Sequence, residues 1–164
     1  MRLLFGLALA ATLLSSTAPA QRTMGYWFIA PGALTSGGDT SFRLHLGAGG
    51  DFRIWNGISA GIEGGAAVAP DHHFIDKGVG IASANGYYHF IHSTEARFDP
   101  FVTTGYSAFI RNGTQNRVNY GAGINYWAFK HTAIRMELRD YVGYHPTQHL
   151  WGLRVGVAFT RLWP

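Results

Sequence analysis

The chain has 164 residues, enough for one domain, with a formal net charge of +4 and no cysteine. Charged residues make up only 13 % of the chain, against about 25 % in ordinary soluble domains, while aromatic residues reach 15 % and glycines number 22. The arginines are scattered singly, whereas nucleic-acid-binding proteins cluster them on one face. The sequence therefore excludes disulfide bonds and argues against a nucleic-acid partner.

The first 20 residues have the pattern of a secretory signal peptide. Arg2 supplies a positive charge, an apolar run follows over residues 3–14, and Ala-Pro-Ala at residues 18–20 forms a small-residue cleavage site. The apolar run is too short for a membrane-spanning helix, which needs about 20 residues. We therefore predict an exported protein with a signal peptide over residues 1–20 and a mature domain over residues 21–164.

From residue 25 onward, apolar and polar residues alternate with a period of two, and glycine, Asn-Gly and proline interrupt the pattern. This predicts an all-β domain with eight strands, over about residues 25–34, 41–55, 58–68, 79–90, 99–110, 117–128, 132–144 and 150–162. Most of them have the length of a tilted membrane-crossing strand, about 9–11 residues. Strands in soluble proteins are shorter, roughly 5–6 residues.

Local turn chemistry separates these strands. Asn56-Gly57 predicts a type I′ hairpin, because both positions of that turn need a positive φ. Asp99-Pro100 ends a connection and starts the fifth strand, and Asn112-Gly113 lies in a polar loop. Asn85-Gly86 is compatible with another turn, but aromatic residues 87–90 continue the strand pattern, so we place it inside the fourth strand.

The two faces of the predicted strands differ sharply. The apolar face of the second and seventh strands consists of Phe42, Leu44, Leu46, Ala48, Phe52, Ile54, Ile134, Met136 and Leu138. A soluble lipocalin-like barrel would turn this face inward, and a membrane barrel would turn it outward. The opposite face is rich in glycine, which favours the membrane barrel, because large arginines in a narrow eight-stranded lumen need small neighbours.

Charged residues of both signs lie on the glycine-rich face, and we expect them to pair in the lumen because buried charges must be paired. The predicted lumen network consists of Arg43, Asp51, Arg53, Glu63, Arg135, Glu137, Arg139 and Arg154. A gate for solutes is one interpretation, but a structural plug is favoured because such a lumen is normally filled. Asp140 has the apolar parity, so we expect it at the lipid headgroups or turned inward by a bulge.

Aromatic residues gather near the predicted strand ends, which is typical of the two interfacial belts of a membrane barrel. One belt would comprise Tyr26, Trp27, Trp55, Phe90, Phe101, Trp127 and Trp163, and the other Phe42, Tyr120, Tyr144 and Trp151.

Several segments resemble the small outer-membrane barrel family that includes OmpX and the transmembrane domain of OmpA. They are residues 46–52 (Leu-Gly-Ala-Gly-Gly-Asp-Phe), 99–102, 137–141 and the last strand. The resemblance implies an eight-stranded antiparallel up-and-down transmembrane β-barrel in the outer membrane of a Gram-negative bacterium. It also implies insertion by the barrel-assembly machinery, contact with outer-membrane lipid and lipopolysaccharide, and a monomer. The family ends in an aromatic residue, whereas here Trp163 precedes Pro164.

No cofactor, metal or catalytic site is predicted. His72 and His73 with Asp71 and Asp76 fall in the second outer loop, and His145 and His149 in the fourth, but their spacing matches no standard metal motif. Residues 92–95, His-Ser-Thr-Glu, have hydrolase residue types, but neighbours in sequence rarely face one another as a catalytic triad requires.

The functional hypothesis is therefore a non-enzymatic outer-membrane barrel with a structural or interaction role, a plugged lumen and at most weak solute passage. Short outer loops favour this role over that of an adhesin. Two alternatives stay open: a soluble exported barrel that binds a small apolar ligand, and an outer-membrane enzyme that modifies lipid A.

Overall fold

The computed structural model describes residues 23–69, 78–93, 95–144 and 147–160, which form eight antiparallel strands. The strands are β1 (Met24–Ser36), β2 (Asp39–Trp55), β3 (Ile58–Val68), β4 (Val79–His89), β5 (Phe98–Ile110), β6 (Thr114–Phe129), β7 (Thr132–Gly143) and β8 (Gln148–Thr160). Each strand pairs with the next, and β8 pairs with β1 to close the barrel. The predicted eight-stranded up-and-down barrel is confirmed.

Closure of the ring removes both sheet edges, so that the strands satisfy one another's backbone N–H and C=O groups without water. Within the described segments, no helix is long and apolar enough to span a bilayer. The signal peptide predicted over residues 1–20 lies outside the described residues.

The predicted turn chemistry is also confirmed. Asn56 and Gly57 both have positive φ values, 39° and 86°, and they join β2 to β3 in a two-residue hairpin. Asn85-Gly86 lies inside β4 and pairs regularly with β3 and β5, so the alternative turn at this position does not form. Following the predicted topology, we call the end with turn 37–38 the outer end and the end with Asn56-Gly57 the inner end.

The apolar face of the strands points outward. Leu46, Leu138 and Leu153 are exposed, and Ile62 is 65 % exposed. Most charged residues of the opposite parity, such as Glu137 on β7, are buried in the lumen. The predicted orientation is therefore confirmed, and it is the reverse of a lipocalin-like barrel with an apolar interior.

The predicted aromatic belts are partly wrong. Trp27, Trp55 and Phe90 are exposed near the inner end as expected, but other members of that belt point into the lumen. The inward members are Tyr26, Phe101 and Trp127. Neighbouring residues of a strand point to opposite faces, so consecutive aromatic residues cannot all face lipid. Trp163 lies outside the described residues.

The outer belt matches its prediction in exposure. All four of its members, Phe42, Tyr120, Tyr144 and Trp151, are exposed. Aromatic side chains at this height are suited to the membrane–water interface.

Some glycines lie where the neighbouring strand leaves no room for a Cβ atom. At Gly156 on β8, a Cβ atom would overlap the backbone carbonyl oxygen of Trp27 on β1 and lie 2.8 Å from the Cα of Phe28. Both contacts are with backbone, which cannot move aside without disturbing the β1–β8 pairing that closes the barrel.

We predict that Gly156→Ala lowers the free energy of unfolding by about 1–3 kcal/mol through overpacking at the closing seam. Urea unfolding in detergent, followed by heat-modifiable gel mobility, measures this change. The control is Gly64→Ala, because Gly64 has no heavy atom within 4 Å of an added Cβ. Equal stability of the two variants would contradict the prediction.

Candidate functional site

Five charged side chains meet in the middle of the lumen, and all of them are buried. Glu63 comes from β3, Arg154 comes from β8, and β7 supplies Arg135, Glu137 and Arg139. Alternate residues of one strand point the same way, which is why β7 contributes three members. We call these five residues the central cluster.

Glu137 is surrounded by the three arginines of the central cluster. Arg154 Nη1 lies 3.3 Å from each oxygen of Glu137, and Arg135 Nη2 lies 3.3 Å from Oε2. Arg139 donates through Nε to Glu137 Oε1. One carboxylate thus accepts hydrogen bonds from three guanidinium groups.

Glu63 is held from both sides of the lumen. Arg154 Nη2 lies 2.5 Å from Oε1, and Arg139 Nη1 lies 3.4 Å from Oε2. The hydroxyl groups of Tyr26 and Tyr141 donate to Oε2 and Oε1 at 3.0 and 3.3 Å. Since β3 and β7 are on opposite sides of the ring, these contacts cross the lumen.

Aromatic rings accommodate the excess positive charge of the central cluster, which has three arginines and two glutamates. The Cζ atom of Arg135 lies 4.0 Å from the ring centre of Phe101 and 4.4 Å from that of Tyr26. The Cζ atom of Arg154 lies 3.5 Å from the ring centre of Phe28. Such cation–π contacts are strongest where water is excluded. They explain why these aromatic residues face inward.

A second cluster lies nearer the inner end, around His89 of β4. Its Nδ1 is 2.8 Å from Asp99 Oδ1, and its Nε2 is 3.0 Å from Asp51 Oδ2. Arg53 Nη2 lies 3.2 Å from Asp99 Oδ2. Both ring nitrogens therefore face carboxylates, a geometry in which both donate only when the imidazole carries two protons. We call these four residues the inner cluster.

Asn125 of β6 joins the two clusters. Its Nδ2 donates to Asp99 Oδ2 at 3.0 Å, and its Oδ1 accepts from Arg135 Nη1 at 3.2 Å. Because all three side chains are buried, the hydrogen bonds form one network across the lower half of the lumen.

The structure brings together seven of the eight residues of the predicted lumen network. The expected partners of Arg53 were Asp51, Glu63 and Glu137, but its observed partner is Asp99. Arg43 lies apart, half-buried near the outer end, and donates to the carbonyl of Phe42. Within the described ranges it forms no ion pair.

The sequence prediction missed His89, Asp99 and Asn125. Asp99 was placed at the start of the fifth strand, as the residue that ends the preceding connection, but its side chain was not assigned to the lumen, into which it points. His89 shares its parity with Asn85 and Tyr87 on β4, and all three are buried. This shared parity could have placed His89 in the lumen, but β4 has no other acidic or basic residue of the same parity that would have suggested a charged cluster.

Asp140 lies on the outer surface near the outer end. It accepts from the Tyr120 hydroxyl at 3.1 Å, and His149 Nδ1 lies 2.7 Å from the same oxygen. The pairing of β7 is regular at this position, so the second of the two alternatives, an inward turn at a bulge, does not occur. Partners in the outer aromatic belt allow the carboxylate to sit on this face.

The other sites considered from the sequence lie largely outside the described segments. No group of three or more His, Asp or Glu side chains within those segments is arranged to hold a metal ion. Ser93 accepts a local hydrogen bond from the backbone of Glu95 at 3.2 Å. The loop residues Asp71, His72, His73, Asp76 and His145, and also Thr94, lie outside the described residues.

We predict that Glu63→Gln destabilises the barrel by about 3–5 kcal/mol, because it leaves Arg139 and Arg154 with a single buried carboxylate between them. Urea unfolding in phospholipid vesicles, monitored by tryptophan fluorescence, measures the change. Asp39→Asn is the matched control, since Asp39 is exposed at the start of β2, and it should leave the midpoint unchanged. A midpoint for Glu63→Gln equal to that of the control would contradict the prediction.

No protein-family model and no curated protein sequence matches the chain. Among solved structures, neisserial surface protein A (NspA) matches with a TM-score of 0.68 and 12 % identity, over 85 % of this chain and 97 % of that one. The N-terminal β-barrel domain of Pseudomonas aeruginosa OprF matches with a TM-score of 0.58 and 16 % identity, over 85 % of this chain and 98 % of that one. The outer membrane protein OprG of the same species matches with a TM-score of 0.58 and 8 % identity, over 88 % of this chain and 98 % of that one. The chain therefore has the fold of the small eight-stranded β-barrels of bacterial outer membranes.

Proposed function

We propose that this chain is an outer-membrane β-barrel protein with a structural or interaction role, whose lumen is closed by paired charges and passes solutes weakly at most. The observation that carries the proposal is the central cluster, which spans the lumen between β3, β7 and β8. The outward apolar surface supports the membrane location, because it would be unfavourable in water and suits hydrocarbon.

The energetics of the central cluster support a plug. Moving Arg154 aside to open a path would break its contacts with Glu63 and Glu137. A buried charge left without its partner typically costs about 3–5 kcal/mol. The same displacement would also remove the guanidinium from the ring of Phe28. Spontaneous opening should therefore be rare.

The lumen above and beside the central cluster is also filled by hydrogen-bonded side chains. Asn119 Nδ2 donates to Ser107 Oγ at 2.8 Å, and Ser107 Oγ lies 2.8 Å from Ser83 Oγ. All three residues are buried. Because hydrogen-bonded side chains occupy this part of the lumen, we expect it to be rigid. We therefore assign the proposed role to the outer surface of the barrel.

On the outside, we propose contacts with outer-membrane lipid and lipopolysaccharide. Tyr120, Trp151 and the Asp140–His149 pair would lie at the headgroups of the outer leaflet, where aromatic and polar side chains are favourable together. The chain would act as a monomer, inserted by the barrel-assembly machinery.

Membrane location is tested by fractionation. We expect the protein in detergent extracts of outer membranes, with a gel mobility that changes on boiling, because a closed barrel resists the detergent until it is heated. Recovery of folded protein from the periplasmic extract without detergent would overturn the proposed location.

Closure of the lumen is tested by planar-bilayer conductance. We expect no steady current through the wild-type barrel, and discrete openings when Glu63→Ser and Arg154→Ser are combined, because this pair removes a cross-lumen bridge between β3 and β8 without changing the net charge. The control combines Glu95→Ser and Arg97→Ser in the exposed inner connection. Steady conductance of the wild type, at the level of the double lumen variant, would overturn the proposed plug.

A further inference from the structure

The outer end of the lumen holds a cavity of about 460 Å³ that the proposed function does not use. We call it the outer cup. Its lining residues are Leu34, Arg43, Ala67, Val79, Phe109, Arg111, Asn112, Gly113, Thr114, Gln115, Arg117, Gln148 and Leu150. Its volume falls within the range of small-molecule pockets, about 300–1,000 Å³.

The floor of the outer cup is apolar. Ala67, Phe109 and Leu150 belong to one packed group with Ile81 and Tyr141, and all five are buried. An apolar floor favours a ligand with a hydrocarbon part, because binding would remove apolar surface from water.

The wall of the outer cup is cationic. Arg43 of β2 and Arg117 of β6 line it, and no carboxylate is among the described lining residues. Asp140, the acidic residue whose charge acts on Arg117, lies on the other face of the barrel wall with His149 and Tyr120. The described lining residues therefore offer an anion two guanidinium groups.

Arg117 carries unmet hydrogen-bonding capacity. The residue is only 5 % exposed, and its Cζ lies 4.4 Å from the ring centre of Phe109. Its Nη2 donates to Gln148 Oε1 at 2.6 Å, but Nε and Nη1 have no hydrogen-bond partner among the described residues. Buried donors of a charged group are costly to leave unpaired. A ligand in the cup that accepts a hydrogen bond from Arg117 would remove this cost.

We propose that the outer cup binds a short aliphatic carboxylate, with its carboxylate at Arg117 and its hydrocarbon tail on Phe109, Leu150 and Leu34. Charge selects the head group, since hydrogen bonds between ionised partners are the stronger ones. The apolar floor selects the tail. The central cluster lies below, so the ligand is held at the outer end instead of being passed through the barrel.

The proposal is tested by NMR titration of the folded barrel in detergent micelles with hexanoate. We expect a saturable shift of the amide of Gly113 at the rim of the cup, and none at Gly57 in the inner turn. Hexanamide keeps the tail without the charge, and acetate keeps the charge without the tail. Each should bind at least about tenfold more weakly than hexanoate, since each lacks one of the two interactions.

Two variants separate the head and tail contacts. Arg117→Gln should weaken hexanoate binding about tenfold or more and abolish the preference over hexanamide. Ala67→Leu should weaken it by filling the floor while Arg117 stays in place. Arg97→Gln, an exposed arginine of the inner connection, is the matched control and should bind as the wild type does. Heat-modifiable mobility establishes that each variant is folded.

Three outcomes would overturn the proposal. The first is the absence of a saturable shift at Gly113. The second is equal affinity for hexanoate and either hexanamide or acetate, which would mean that only one half of the ligand is recognised. The third is wild-type affinity in Ala67→Leu, which stands as a test even where Arg117→Gln fails to fold.

Discussion

The structure depends on one constraint: an eight-stranded ring is barely wide enough for side chains, and its outside is apolar. Charged side chains must then lie inside and find partners there. Glu63 and Glu137 meet three arginines within the lumen, and Asp51 and Asp99 meet His89 and Arg53. Small residues on the same face, such as Gly123, provide the room that these large side chains need, since a Cβ added there would lie 3.0 Å from the Cβ of Glu137.

The two clusters differ in the sign of the charge that is in excess. The central cluster has more guanidinium groups than carboxylates, and the quadrupoles of Tyr26, Phe28 and Phe101 offset the excess. The inner cluster has two carboxylates, Asp51 and Asp99, and one guanidinium, and the His89 imidazole lies between the carboxylates. The Asn125 amide lies between the clusters, accepting from one and donating to the other. A neutral side chain thus connects the hydrogen bonds of the two clusters along the lumen.

The period-two pattern predicted the strands, the barrel and the outward apolar face, because these depend on alternation along each strand. Which side chains meet across the lumen depends on register and stagger around the ring, which a single sequence does not specify. Asp99 was therefore interpreted from its neighbour Pro100, although its partner His89 lies on another strand. Tyr26 was assigned to the lipid belt for a different reason, because it was grouped with Trp27, although consecutive residues point to opposite faces and the Tyr26 hydroxyl reaches Glu63 in the lumen.

The order of these charges along the chain has a consequence for biogenesis. Glu63 belongs to the first half of the sequence, whereas Arg139 and Arg154 belong to the last two strands. A sheet without those strands would lack both of the guanidinium groups that pair with Glu63 in the complete barrel, and burying an unpaired carboxylate is costly. The ion pairs of the lumen therefore favour a route in which entry into the bilayer and closure of the ring occur together.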